Sequence, residues 1–272
     1  MQQTDTIAAF RAALDAERAM RRVVGLVPTM GALHGGHRSL IERAAGECGA
    51  VAVTIFLNPL QFDVAADLAG YPADPAADRE AAADAGATHL FVPAPAEMAT
   101  GAMATRVRVD GVSSGLEGAA RPGHFEGVAT IVTKLFAVAG PCRAYFGEKD
   151  HQQLQMVRRL VSDLALPVEV VACPTVRAPD GLALSSRNAR LCAAERATAP
   201  VLYRALQAGA AQAAAGERDA ARLERVVAEM VDAEPLARLD YAAAVPEGAG
   251  WRLHVAAWIG DTRLIDNLAV EG

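Results

Sequence analysis

Two histidines spaced three residues apart are the strongest chemical signal in the sequence. His34 and His37 lie in the run PTMGALHGGH, residues 28–37, directly after the apolar stretch Val23–Val27. Residues at positions i and i+3 of a helix share a face, so both rings could point at one ligand group. A helix start also offers backbone N–H groups and the positive end of the helix dipole. The run therefore predicts a site for a nucleoside triphosphate.

Other interpretations of the histidine pair compete with this one. The P-loop pattern GxxxxGK[ST] and the dinucleotide pattern GxGxxG are both absent from the sequence, so a nucleotide would need a different kind of site. A zinc site would need further ligands at recognisable spacing, and no Glu follows His34 to give HExxH. The two rings could also be ordinary hydrogen-bonded side chains, an interpretation that spacing alone leaves open.

A second run, near residue 186, favours the phosphate interpretation. The sequence LSSRN at residues 184–188 places two hydroxyls and a guanidinium on a loop that follows Gly181. Such groups can close on phosphate oxygens, because arginine donates paired hydrogen bonds and a loop can move. Together the two runs predict a protein that binds a nucleotide through its phosphates.

The length and charge of the chain narrow the range of functions. A chain of 272 residues is long enough for two domains, each with its own core. A net charge of −6 argues against general binding to nucleic acid or to an anionic membrane, which would need a basic face. We therefore expect small-molecule partners, with neither nucleic acid nor membrane among them.

The cysteines and the apolar stretches predict a cytoplasmic protein. The first residues lack the basic start and apolar core of a signal peptide. The longest apolar stretch, Gly127–Gly140, contains Lys134 and is too short to span a bilayer. The four cysteines are far apart and form no CxxC pair, which suits a reducing compartment: Cys48, Cys142, Cys173 and Cys192.

Hydrophobic periodicity predicts alternating strands and helices over the first part of the chain. Continuous apolar strands separated by helices are typical of a parallel sheet covered on both faces, which predicts an α/β fold. The predicted elements are helix 5–20, strand Val23–Val27, helix Ser39–Ala45, strand Ala50–Leu57, helix Pro75–Ala87, strand His89–Val92, edge strand Thr105–Asp110, helix Glu126–Val138, strand Arg143–Phe146, helix His151–Leu164 and strand Val168–Ala172.

The pattern changes after Pro174. A loop rich in Pro, Asp, Gly and Ser precedes two Ala-rich helices, near 193–215 and 217–233. Three alternating strands are predicted after them, near Leu239–Ala244, His254–Ile259 and Arg263–Leu268. We therefore expect a first domain over residues 1–175 and a smaller α+β domain with an antiparallel sheet over residues 176–272.

Polar residues follow several of the predicted strands. In an open parallel sheet, ligands bind beyond the carboxyl ends of the strands, where the strand order reverses. Each polar group has an ordinary explanation by itself: Asn58-Pro59 suits a turn, Lys149 suits a surface ion pair, and Ser185 or Ser186 suits a helix cap. Their coincidence at successive strand ends favours a ligand site.

Five motifs in a fixed order give a family resemblance that covers residues 23–190. They are PTMGALHxGH, FLNPLQF, RPGHFEGV, FGEKDHQQL and DGLALSSRN, and they resemble those of the pantothenate synthetases (pantoate–β-alanine ligases), in the HxGH nucleotidyltransferase superfamily. The resemblance implies a Rossmann-like first domain that binds nucleotide and pantoate, with a small second domain that acts as a lid. It implies ATP-dependent joining of pantoate to β-alanine through a pantoyl-adenylate, with Mg²⁺, AMP and pyrophosphate. It also implies a homodimer.

The resemblance assigns roles residue by residue. For ATP it implies Met30, His34, Gly36, His37, Gly147, Lys149, Asp150, Val176, Ser185, Ser186 and Arg187, with His34, His37, Lys149 and Arg187 catalytic. For pantoate it implies Gln61 and Gln153, and near the metal Asp78 and Glu117. These roles suit the chemistry, because carboxylate attack on the α-phosphorus builds negative charge that donors and cations stabilise.

The chain departs from the common family pattern at a few positions, and two other functions stay open. Gly35 stands between the histidines in place of a larger residue, Ala77 stands where an acidic residue is usual, and His151 replaces an aromatic residue. One alternative is another HxGH nucleotidyltransferase, which would leave the nucleotide in its product. The other is a silent nucleotide-binding sensor, which would not need groups that stabilise a transition state.

Overall fold

The structure is a computed structural model that describes residues 1–62, 68–98 and 103–271. The chain separates into two compact units. The first contains Met1–Glu148 and Gln152–Pro174, and the second contains Lys149–His151 and the chain from Thr175 onward. The three residues 149–151 thus group with the second unit although the sequence places them inside the first.

The first unit is built on a six-stranded sheet. Every strand pairing in this sheet is parallel, and the strand order is β1-β4-β3-β2-β5-β6. The strands are β1 (Gln2–Thr4), β2 (Val24–Thr29), β3 (Ala50–Ile55), β4 (His89–Phe91), β5 (Cys142–Gly147) and β6 (Val168–Cys173). Because the order runs outward from β2 in one direction and from β5 in the other, the topological switch point lies between β2 and β5.

Helices cover both faces of this sheet. They are α1 (Ile7–Ala19), α2 (Gly35–Glu47), α3 (Pro75–Asp84), α4 (Pro95–Met98), α5 (Leu116–Ala120), α6 (His124–Ala139) and α7 (His151–Asp163). Successive strand residues point to opposite faces. Leu26 and Phe146 accordingly join a core with α1, α6 and α7, whereas Val27 and Tyr145 join a core with α2 and α3.

The second unit contains a three-stranded antiparallel sheet with helices packed against it. Its core joins the strands to two of the helices through buried side chains such as Leu206, Val227 and Leu253. The elements are α8 (Ala193–Thr198), α9 (Val201–Ala214), α10 (Ala220–Asp232), β7 (Ala237–Glu247), β8 (Gly250–Ile259) and β9 (Thr262–Val270), in sheet order β7-β8-β9.

The predicted fold class is confirmed: a Rossmann-like parallel-sheet unit precedes a smaller unit with an antiparallel sheet. Two predicted elements are wrong. Residues 105–109 form no strand, because the backbone N–H of Val107 donates to Thr130 Oγ1 in α6 (2.9 Å) and not to a neighbouring strand. The edge beside β4 is occupied by β1, which the sequence analysis missed. The single helix predicted near 193–215 is divided at Pro200, whose ring nitrogen has no proton to donate.

No helix in the described part of the chain is long and apolar enough to cross a membrane.

Candidate active site

The two histidines form the start of α2. His34 is the N-cap residue, and its Nδ1 accepts a hydrogen bond from the backbone N–H of Gly36 (3.1 Å). The Nδ1 of His37 accepts in turn from the backbone N–H of His34 (3.4 Å), which completes a capping box built from two imidazoles. The helix therefore begins at Gly35, four residues before the predicted start at Ser39.

These hydrogen bonds determine which tautomer each neutral ring adopts. A neutral imidazole carries its proton on one nitrogen and accepts at the other. Because Nδ1 accepts in His34 and in His37, each neutral ring carries its proton on Nε2. The ring centroids lie 4.1 Å apart with an angle of 39° between the planes. The two neighbouring rings thus each carry a hydrogen-bond donor at Nε2 in the neutral form.

Asp78 holds the loop that leads into the histidine turn. Its carboxylate accepts from the backbone N–H groups of Ala32 (3.0 Å) and Leu33 (2.7 Å), and the side chain is buried. Gly31 adopts a φ of +89°, and a Cβ there would come within 2.8 Å of Asp78 Oδ2. The loop between β2 and α2 is therefore shaped by a carboxylate from α3, which the sequence analysis assigned to metal.

Gln61 lies in a short 3₁₀ turn, Pro59–Gln61, beyond the end of β3. The buried Asn58 caps this turn through a bond from the Leu60 N–H to its Oδ1 (3.1 Å). Asn58 Nδ2 donates to Gln61 Oε1 (2.9 Å) and to the Gly127 carbonyl (3.1 Å). Because Gln61 Oε1 accepts from Asn58 Nδ2, the orientation of the Gln61 amide is fixed, and Nε2 is the end that donates.

Two further side chains hold the backbone of this turn. The main-chain oxygen of Gln61 accepts from Arg121 Nη2 (3.1 Å) and lies 2.9 Å from His124 Nδ1. Both residues belong to the RPGHFEGV motif, which supported the resemblance but received no role from it. That motif was the available signal for these contacts.

The two adjacent glutamines at the start of α7 differ in their surroundings. Gln152 is buried: its Oε1 accepts from the Glu117 N–H (3.0 Å), and its Nε2 reaches the carbonyls of Val112, Ser114 and Gly115 at 3.1 to 3.2 Å. Gln153 is half-buried in the same first turn. Gln152 therefore fastens the 112–117 segment to α7, and the substrate role of Gln153 stays a prediction.

In the second unit, two of the predicted phosphate-binding residues line one pocket. Lys149 and Ser185 line it together with Asn188 and Asp266. Ser185 Oγ caps the 3₁₀ turn Ser186–Arg190 by accepting from the Arg187 N–H (3.3 Å). The predicted lysine and hydroxyl are therefore brought together here.

A buried ion pair supports one wall of this pocket. Arg177 binds both carboxylate oxygens of Asp266, at 2.5 and 2.9 Å, and stacks over the Tyr203 ring with its Cζ 3.9 Å from the centroid. Burial raises the pKa of Asp266, and the positive charges of Arg177 and Lys149 oppose that rise. Asp266 consequently faces Lys149 from a fixed position.

The remaining predicted residues occupy the ends of these elements. Met30 directly follows β2, Gly36 lies in the first turn of α2, and Gly147 ends β5. Asp150 is exposed, and the Val176 carbonyl accepts from the Leu184 N–H (2.9 Å). Across residues 1–62, 68–98 and 103–271, no group of three or more His, Cys, Asp and Glu side chains is arranged to hold a metal ion.

A parallel sheet with a paired-histidine turn after the strand at its switch point is the arrangement expected of an α/β nucleotide-binding protein with an HxGH motif. The comparisons with known proteins are more specific. The sequence model for pantoate-beta-alanine ligase matches residues 2–269, so the chain belongs to this family. It is a ligase that joins pantoate to β-alanine with ATP.

Relatives of known name match nine-tenths or more of the chain. The pantothenate synthetase of Rubrobacter xylanophilus is 51% identical over 265 residues, with 91% of each chain covered. That of Chloroflexus aurantiacus is 49% identical and covers 100% of this chain and 99% of its own. The crystal structure of pantothenate synthetase from Thermus thermophilus has a TM-score of 0.93 at 48% identity, with both chains fully covered.

One solved relative was determined with ligands. Pantoate-beta-alanine ligase from Francisella tularensis, complexed with beta-gamma ATP and beta-alanine, has a TM-score of 0.83 at 33% identity. The match covers 98% of this chain and 97% of that one.

Proposed function

We propose that the ligation proceeds through a pantoyl-adenylate and that the His34–His37 turn stabilises its formation. The supporting observation is the capping box, which fixes a proton on Nε2 of both rings at the switch point of the sheet. In the first step a pantoate carboxylate oxygen bonds to the α-phosphorus, and the bond from that phosphorus to the pyrophosphate oxygen breaks. Pantoate reacts as the anion, so this step needs no general base.

The phosphate groups of ATP are assigned to the residues that the family resemblance implies. As the first step proceeds, negative charge grows on the phosphoryl oxygens, and preorganised donors stabilise it most effectively. The two imidazole Nε2–H groups donate, and Lys149 and Arg187 supply positive charge. Met30, Gly36, Gly147, Asp150, Val176, Ser185 and Ser186 complete the ATP site in this proposal.

Gln61 and Gln153 are assigned to pantoate. Pantoate has a carboxylate and two hydroxyls, which need donors and acceptors set in an apolar wall. Asn58 leaves the Gln61 amide with Nε2 as its donor end, which suits a carboxylate or hydroxyl oxygen. In the second step the neutral amine of β-alanine bonds to the acyl carbon, the bond from that carbon to the AMP oxygen breaks, and one amine proton is released to solvent.

A magnesium ion fits this site as a companion of ATP. Mg²⁺ typically uses one or two carboxylates and takes its other ligands from phosphate and water. Each Asp78 oxygen accepts from one backbone N–H and keeps a second lone pair, so Asp78 would hold the ion. The family resemblance assigns Glu117 to the same role. Bound there, Mg²⁺ would neutralise phosphate charge.

Assembly and location are further parts of the proposal. The four cysteines are free thiols, which is compatible with the cytoplasm. The family resemblance supports a homodimer. Light scattering of the purified protein at several concentrations would test the dimer, and a monomer throughout would contradict it.

Product analysis tests the mechanism directly. We expect the purified protein, given ATP, Mg²⁺, pantoate and β-alanine, to form pantothenate, AMP and pyrophosphate in equal amounts. Without β-alanine, labelled pyrophosphate should still exchange into ATP when pantoate is present. Release of ADP and phosphate would contradict the adenylate, because it would mean attack at the γ-phosphorus. A product that keeps the nucleotide would favour the alternative nucleotidyltransferase.

A further inference from the structure

Lys149 is held by a continuous row of polar side chains on the three-stranded sheet of the second unit. Asn267 Nδ2 donates to the main-chain oxygen of Lys149 (2.9 Å), and Asn267 Oδ1 accepts from Arg252 Nη1 (2.9 Å). Arg252 Nε donates to Glu247 Oε2 (2.7 Å), and the other oxygen of Glu247 lies 3.0 Å from His151 Nε2. The row begins and ends within three consecutive residues, Lys149 to His151.

The strand register explains why these residues meet. His254 on β8 stands directly opposite Asn267 on β9. Arg252 precedes His254 by two positions and therefore shares its face of the sheet. The His254 ring packs against the His151 ring, with centroids 5.5 Å apart. One face of β7, β8 and β9 thus presents an ordered polar surface to residues 149–151.

The orientation of each member is determined by chemistry. Arg252 has only donors and the Lys149 carbonyl only accepts, so the Asn267 amide has a single possible orientation, with Oδ1 toward Arg252 and Nδ2 toward Lys149. Asn267 is 4% exposed, and the side chain of His151 is 10% exposed. Burial raises the pKa of Glu247, but the combined effect of Arg252 and His151 is larger and lowers it below its usual value. The carboxyl therefore stays ionised and accepts from both residues.

We propose that Asn267, Arg252, Glu247 and His151 are positioning residues that fix the Lys149 ammonium for the phosphates of ATP. We call these four side chains the lysine tether. The proposal rests on the assignment of Lys149 to ATP in the proposed function. A preorganised cation stabilises developing charge only while its backbone is held, and a misplacement of about 1 Å can cost on the order of 100-fold.

Asn267→Asp gives the sharpest test, because it changes one contact of the tether and preserves the size of the side chain. One carboxylate oxygen still accepts from Arg252, but the other now faces the Lys149 carbonyl, and no proton lies between them. We expect the dissociation constant for ATP, measured by calorimetry without pantoate, to rise about tenfold. Glu247→Gln, at the half-exposed end of the tether, should raise it several-fold.

The matched control is Asp240→Asn. Asp240 pairs with Arg263 (2.7 Å) near the opposite end of the same sheet, so this variant also removes a carboxylate from an arginine pair. It should leave the ATP dissociation constant within twofold of the unmodified protein.

The Lys149→Ala background distinguishes positioning from general stability. If the tether acts through the ammonium, Asn267→Asp and Glu247→Gln should each change ATP affinity less than twofold once that ammonium is gone. The same loss in both backgrounds would overturn the proposal, as would unchanged affinity in both variants. Should Asn267→Asp fail to fold, Glu247→Gln decides alone.

The outcome is also separable from the proposed function. Failure of the unmodified protein to exchange pyrophosphate into ATP with pantoate would refute the proposed function. Wild-type ATP affinity in Lys149→Ala alone would refute the role of Lys149 and, with it, the tether. A third outcome would refute only the tether. In that outcome pyrophosphate exchange is normal and Lys149→Ala weakens ATP binding, but the tether variants lose the same ATP affinity with and without Lys149.

Discussion

Gly127→Ala should damage pantoate binding through the turn that carries Gln61. Gly127 lies in α6 against the Pro59–Gln61 turn, and a Cβ there would overlap the Leu60 carbonyl and come within 2.6 Å of the Gln61 nitrogen. Ordinary contact begins at 3.4 Å, so the turn must move. Overpacking of this kind costs about 1–3 kcal/mol, whereas alanine gains only about 0.5–1 kcal/mol over glycine inside a helix.

We therefore expect a net loss of up to about 2.5 kcal/mol in the free energy of unfolding. A turn displaced by about 1 Å should raise the KM for pantoate on the order of 10- to 100-fold. Affinity for ATP alone should stay within about twofold, because the histidine turn follows another strand, β2. The assays are urea unfolding, steady-state kinetics with varied pantoate, and calorimetric titration with ATP.

Gly46→Ala is the matched control. It makes the same substitution in helix α2, where an added Cβ meets no atom within 4 Å. This variant should gain a few tenths to about 1 kcal/mol of stability and keep its kinetics. A Gly127→Ala protein with reduced stability but an unchanged KM for pantoate would refute the placement of pantoate at Gln61. Equal losses of pantoate and ATP affinity would mean that the turn supports the whole first unit.

Three further results are expected. His34→Ala and His37→Ala should each lower turnover about 10²- to 10³-fold with a folded protein by circular dichroism, and loss of activity only through unfolding would contradict their role. Asp78→Asn should cost about 1–3 kcal/mol in urea unfolding, because an amide offers one acceptor to two N–H groups, and an unchanged midpoint would argue against loop anchoring. Burial lowers the pKa of His89 from 6.5, and the nearby Glu17 carboxylate offsets only part of this shift. Below pH 6.5 the unfolded chain therefore binds a proton at His89 more readily than the folded protein does. Stability should therefore fall as pH drops below 6.5, and His89→Gln should flatten that slope in urea midpoints measured at several pH values.

Hydrophobic patterning was enough to predict the central sheet. Strands buried on both faces read as unbroken apolar runs, so β3 (AVAVTI) and its neighbours were visible in the sequence. The edge was less visible, because β1 has the sequence QQT and carries no apolar signal. Its hydrogen bonds to β4 come from backbone groups, which any sequence can supply. Edge strands of this kind are therefore the elements most easily missed.

The role of Asp78 could not be read from the motif that contains it. Its carboxylate binds backbone groups 45 and 46 residues earlier in the chain, and such contacts leave no local pattern. The family resemblance suggested a metal because acidic residues near a nucleotide commonly meet Mg²⁺. The structure adds an anchoring role for the same charge, and the metal role stays a prediction.

The adjacent Gln152 and Gln153 show most clearly why the roles of residues within one motif could not be separated from the sequence alone. The sequence presents two identical side chains, and only the resemblance chose between them. On a helix, neighbouring residues point about 100° apart, so one amide can be buried against the 112–117 segment while the next is half-buried. The buried amide satisfies one backbone donor and several backbone acceptors, which no shorter or apolar side chain could do. Gln152 is therefore constrained by folding, whereas the pantoate role of Gln153, in the same motif, stays a prediction.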